Sequence, residues 1–99
     1  MHFSYKVHRT GSDTLLAVTD SDIVGKSFSD KSREIMINPD FYEEKKGDAG
    51  TVAKLAKEAT IINAIGKKAV DLLIDKGVVK SEETTEVCGL PHAQVFVIR

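Results

Sequence analysis

Between Thr51 and Lys76, small and apolar side chains recur every three or four residues: Val52, Leu55, Ala56, Ala59, Ile62, Gly66, Ala69, Val70 and Leu73. A stripe of that period marks an amphipathic helix that buries one face against another layer. Ile61, Ile65 and Leu72 widen the stripe in its second half, which predicts deeper burial there. Gly77 stands where helices commonly end in a left-handed residue, and Val78 can pack back on Leu73. A central glycine costs a helix about 1 kcal/mol against alanine. The stretch therefore reads as one long helix, or as two joined near Asn63 to Gly66.

Such a face needs a partner, and the flanking sequence supplies strands. From His2 to Arg9 the chain alternates, with Phe3, Tyr5 and Val7 on one side and His2, Ser4, Lys6 and His8 on the other. "TGSD" (10–13) is turn chemistry and "TLLAVT" (14–19) a β-branched apolar run, so the two segments predict a hairpin. Asp20 can cap a single helical turn, "SDIV", ended by Gly25. "EIMIN" (34–38) predicts a third strand, and Pro39 suits the first turn of a helix. "EEKKGDAG" (43–50) reads as a charged, mobile loop. After "KSEE", Thr84 to Cys88 and Ala93 to Ile98 predict a second hairpin, closed by "GLPH". The expected fold is α+β and two-layered, with one dominant helix, straight or kinked, on a largely antiparallel sheet of about five short strands. A chain of 99 residues forms one domain, 1–99.

Charge and composition narrow the function. A formal net charge of -1 argues against a wholly basic nucleic-acid binder but leaves room for a local basic patch. One cysteine cannot close an intramolecular disulfide. No apolar run approaches the ~18 residues of a membrane span, and "MHFSYKVHR" lacks a signal-peptide core. The expected location is the cytoplasm, with no membrane partner.

"LLAVTDSDIVGKSF" (15–28), "FY" (41–42), "ATIINAIGKKAV" (59–70) and "GLPHAQV" (89–95) resemble the segments that define a small archaeal family, domain of unknown function 424. The resemblance runs in order through nearly the whole chain. It implies a single-domain archaeal protein, brings no activity, cofactor or partner with it, and points toward RNA or ribosome biology. The chain departs from the family pattern at Glu43 and Glu44, where glycine is expected, and at Cys88.

Several motifs invite chemistry. "GKS" (25–27) ends like a phosphate-binding loop, but the position that needs the first glycine holds Asp20, whose carboxylate would repel phosphate. Cys88 and His92 flank a tight turn, yet a catalytic thiol needs an electropositive, partly open setting, and cysteines at strand ends are usually buried and inert. His2 and His8 lie roughly 20 Å apart on an extended strand. With Cys88 and His92 they lack the spacings of zinc sites, so no metal and no cofactor is expected.

What remains centres on His92. Ala56, Ala59, Asn63, Gly66, Val70 and Leu73 fall on one helical line whose middle is small and whose one polar member is Asn63. A buried carboxamide left unpartnered costs roughly 1–3 kcal/mol. The expectation is that "GLPH" docks over Asn63 and Gly66, with Asn63 bonding to turn backbone and His92 nearby. His92 then either fastens the turn or serves as a base or ligand contact, with Asp20 and Tyr42 as neighbours; an imidazole titrates near neutrality, as the second role requires. The candidate site comprises His92, Asn63, Pro91, Gly66, Asp20, Tyr42 and Gln94. Lys26, Arg33, Lys45 and Lys46 would contact phosphates if their loops converge, and such binding would fall with salt.

Three functions follow as expectations. The first is a non-catalytic binding module acting with RNA or a protein of the translation apparatus. The second is a small-molecule enzyme or ligand binder using the Pro91–His92 turn. The third is a homodimer formed through an open strand edge.

Overall fold

The computed structural model describes residues 2–97. In chain order the elements are β1 (Phe3–Thr10), β2 (Asp13–Asp20), a 3-10 turn (Ser21–Ile23), β3 (Ser27–Ser29), β4 (Glu34–Met36), α1 (Pro39–Tyr42) and β5 (Lys45–Gly47). There follow α2 (Ala49–Glu58), β6 (Ile61–Ile65), α3 (Lys67–Asp75), a second 3-10 turn (Ser81–Glu83), β7 (Thr84–Val87) and β8 (Leu90–Phe96). Six strands form one sheet in the order β5-β1-β2-β6-β8-β7, while β3 and β4 pair separately. Every neighbouring pair of the main sheet is antiparallel except β2 and β6, which run parallel.

The fold is α+β as expected, but no helix dominates it and the sheet is larger than about five strands. The largest correction falls on the apolar stripe. α2 and α3 are separate ten- and nine-residue helices joined by a central strand. Ala59 leaves helical geometry at ψ 152°. Thr60 then locks the change: its N–H donates to the Thr14 carbonyl at 2.8 Å, and its hydroxyl oxygen accepts the Thr14 N–H at 2.9 Å. Ile61, Ile62 and Ile65 are β-branched and suit the pleat. Because both faces of β6 carry apolar groups, the strand reads as a run of hydrophobics that a helical period also fits.

Alternation sorts the main sheet into two faces. One carries Phe3, Tyr5, Leu16, Val18, Ile62, Ala64, Ala93 and Val95, and packs on Val52 and Ala56 of α2 and on Ala69, Val70 and Leu73 of α3. A fully buried Ile62 or Leu73 contributes about 1.5–3 kcal/mol over its exposed state. Beyond α3 the Gly77 N–H reaches the Ile74 carbonyl and the Val78 N–H the Leu73 carbonyl, both at 3.0 Å, the two bonds of the Schellman helix end. The Gly77 stop and the Val78 contact are thus as expected.

The other face is covered in part by α1 and the β3–β4 hairpin, through Ala17, Ile37, Tyr42 and Ile65. The "EIMIN" strand is therefore real but lies outside the main sheet. The charged segment expected as a mobile loop contains β5, which pairs with β1, and Asp48, which caps α2 by accepting the Thr51 N–H at 2.9 Å. α1 begins at Pro39 with Asn38 as its cap. It is pinned to β1 by Lys6 Nζ on the Asp40 carbonyl, by His8 Nε2 on the Phe41 carbonyl, and by the Ser4 hydroxyl, which donates to Glu43 at 2.8 Å. Glu43 thus has a structural role. The expected strand end at Ile98 lies outside the described residues. No helix among the described residues is long and apolar enough to cross a membrane.

Candidate functional site

The second face is ordered in rows by strand register. Ser4, Thr19, Ile65 and His92 stand side by side, then Lys6, Ala17, Asn63 and Gln94, then His8, Leu15, Ile61 and Phe96. α1 lies over the middle row. The Tyr42 hydroxyl donates to Asn63 Oδ1 at 2.7 Å, and Asn63 Nδ2 donates to Gln94 Oε1 at 3.3 Å. Burial pushes the Tyr42 phenol up to about 12, so the hydroxyl stays protonated and its donated bond stays in place.

Residues 89–92 do meet residues 63–66, by a different route from the one expected. The turn is Cys88–Gly89 alone, both with positive φ (51° and 83°), as the tightest hairpin loop requires. Pro91 and His92 already belong to β8. His92 is the register partner of Ile65, and the Gly66 N–H donates to the Pro91 carbonyl at 2.9 Å. Asn63 bonds side chains of α1 and β8 and not the turn backbone, because it sits on a strand facing α1 and not on a helix facing a loop.

Asp20 is not a neighbour of His92. It lies on the helical face of β2, where its buried carboxylate accepts the N–H groups of Lys68 at 3.1 Å and Ala69 at 2.7 Å. It thereby caps α3 from across the fold, and the first 3-10 turn takes no side-chain cap from it. Burial raises its pKa, while the two N–H bonds pull it back. Gly66 makes this close approach possible: its φ is +112°, and a Cβ there would lie 2.8 Å from the Asp20 carboxylate.

His92 lines a cleft of about 280 Å³ between the β3–β4 hairpin and strands β7 and β8. Ile37, Ile65 and Val87 give it apolar walls, Met36 stands exposed at its rim, and Arg33 and Tyr42 complete it. The imidazole is half-buried and has no hydrogen-bond partner among the described residues. Burial pushes its pKa below the ordinary histidine value, and the nearby Arg33 guanidinium lowers it further. The guanidinium itself has no carboxylate partner among the described residues. Cys88 is buried, with its thiol directed at the Arg33 carbonyl at 3.7 Å, and no Cys88–His92 hydrogen bond forms.

The four basic residues do not share one patch. Arg33 stands beside β7 and β8, whereas Lys45 and Lys46 lie on β5 at the far edge. Four strand spacings separate β5 from β8, roughly 19 Å. Lys46 approaches Glu43 at 3.9 Å, and Lys26 is exposed beside the first 3-10 turn. The sequence did not place Arg33, Met36, Ile37 or Val87 beside His92, where the structure brings them together. Nothing in the order of residues signals that the β3–β4 hairpin folds over β8.

The family model described as "Protein of unknown function (DUF424)" matches residues 8–98. The crystal structure of an uncharacterized conserved protein from Methanopyrus kandleri is similar, with a TM-score of 0.83 and 27% identity, covering 99% of this chain and 93% of that one. No curated protein matches the chain.

Proposed function

The chain belongs to the DUF424 family, and from that premise we propose that it is a non-catalytic binding module whose recognition site is the Arg33–His92 cleft. The supporting observation is the pair of unpartnered polar side chains over apolar walls in a cavity of about 280 Å³. Small-molecule sites have this composition: mostly apolar lining with a few convergent polar groups. A planar guanidinium beside a neutral imidazole suits a carboxylate or similar acceptor, held in bidentate fashion by Arg33. The ligand's apolar body would lie along Ile65 and Val87.

Catalysis has less support. A general base needs an orienting partner and a nucleophile within hydrogen-bond reach. Here the Cys88 thiol faces a carbonyl, the Tyr42 hydroxyl is committed to Asn63, and Asp20 is across the sheet. Association with RNA or a translation protein would draw on Lys26, Arg33, Lys45 and Lys46. Their spread over opposite edges favours diffuse backbone attraction over a shaped site, with retention on ribosomal fractions falling steeply with salt.

The test is titration of the isotope-labelled chain with benzoate and acetate, followed by amide shifts. Saturable shifts are expected at Met36, Ile65, Val87 and His92, tighter for benzoate. Arg33→Gln should weaken them at least about tenfold, the loss of one charge-assisted contact. Shifts scattered over the surface and unchanged in the Arg33 variant would remove the cleft from consideration.

A further inference from the structure

On the helical side of the sheet, where both helices reach their C-terminal ends, lies a groove of about 500 Å³. It shares no lining residue with the Arg33–His92 cleft. Lys57 enters it from the last turn of α2, Lys76 from the C-terminal cap of α3, and Lys80 from just before the second 3-10 turn. The Schellman turn at Gly77 reverses the chain between Lys76 and Lys80, and all three lysines line the groove. Ala56 and Val95, both buried, and Val78 give the groove an apolar floor.

The ammonium groups of Lys57, Lys76 and Lys80 have no hydrogen-bond or ion-pair partner among the described residues. Glu83 is the carboxylate that lines the groove, and it is engaged by the Lys80 backbone N–H at 2.8 Å. Three lysines and one glutamate line the groove beside the partly negative C-terminal ends of α2 and α3, in a chain whose formal net charge is -1. The helix dipole accounts for a lysine near either helix end, at about 0.3–1 kcal/mol each. It does not account for Lys80, which precedes a 3-10 turn, or for the meeting of all three over an apolar floor.

We propose that this groove binds a phosphate ester with a flat apolar body, of the nucleoside diphosphate type. Lysine is a flexible point charge suited to phosphate oxygens, and three of them match an anion of several charges better than a single carboxylate. The volume is that of an ordinary small-molecule site, and the valine floor gives the ring a surface that inorganic phosphate would not use.

The experiment is calorimetric titration of the whole chain with a nucleoside diphosphate and, separately, with pyrophosphate, at low and at physiological salt. Three proteins are compared: the native chain, a variant carrying Lys57→Gln, Lys76→Gln and Lys80→Gln, and a control of equal charge change carrying Lys31→Gln, Lys54→Gln and Lys68→Gln. Melting curves verify that all three are folded. The expected result is saturable binding of the nucleotide, tighter than pyrophosphate, weakened at least about tenfold in the groove variant and by much less in the control. Absence of saturable binding, or equal weakening in both variants, overturns the site. Pyrophosphate binding as tight as the nucleotide overturns the role of the floor.

Discussion

Gly66 and Asp20 are closely adjusted to each other. The glycine adopts φ +112°, and a methyl group on it would press within 2.8 Å of the carboxylate that caps α3. Gly66→Ala should lower stability by several kcal/mol, about 1–3 of it from backbone strain and the rest from displacing the cap. Adding Asp20→Ala should cost less than the sum of the single changes, since it removes the atoms that clash; additive losses in thermal unfolding would argue against the coupling. His92 gives a prediction in pH. Its pKa is lower in the folded chain than its ordinary 6.5, so the unfolded chain binds more protons between the two values and stability rises with pH across that window. The contribution is complete above the ordinary value and lost as pH falls from there through the lower folded value. Melting curves of the native chain should decline over that range, and His92→Gln should flatten them. Asp20, whose pKa is raised, acts with the opposite sign in a more acidic window.

At the scale of elements, β6 decides the architecture. It is the parallel partner of β2 and the antiparallel partner of β8, so its backbone is bonded on both edges. Its amides should be among the slowest to exchange with solvent, at the global unfolding free energy, while those of α1 and β5 exchange by local opening. Fast exchange across 61–65 would contradict a central strand. The sequence stripe over 51–76 was real, since Val52, Ala56, Ile62, Ala69, Val70 and Leu73 all meet in one core. The period misled because Ile62 faces the helices from a strand yet falls at helical spacing by chance, three residues after Ala59 and four before Gly66. The β-branched cluster Thr60 to Ile62 and the Gly66 that follows were the signals pointing to a strand.

For the whole molecule, the main sheet separates two recesses of different chemistry, the Arg33–His92 cleft on one side and the lysine groove on the other. Both outer strands are short, β5 with three residues and β7 with four, a form that discourages edge pairing between copies. Association between copies remains a proposal, with Phe96, 73% exposed at the end of its row, as one apolar group it could use. The Gly77 helix end, the first hairpin, the Pro39 helix start and the apolar face of β1 were legible in sequence, because each follows from the steric and polar preferences of neighbouring residues. The capping of α3 by Asp20, the bond from Tyr42 to Asn63 and the arrival of Arg33 beside His92 were decided by tertiary structure alone. These contacts join residues far apart in the chain, and strand register, which no local preference encodes, sets which of them meet.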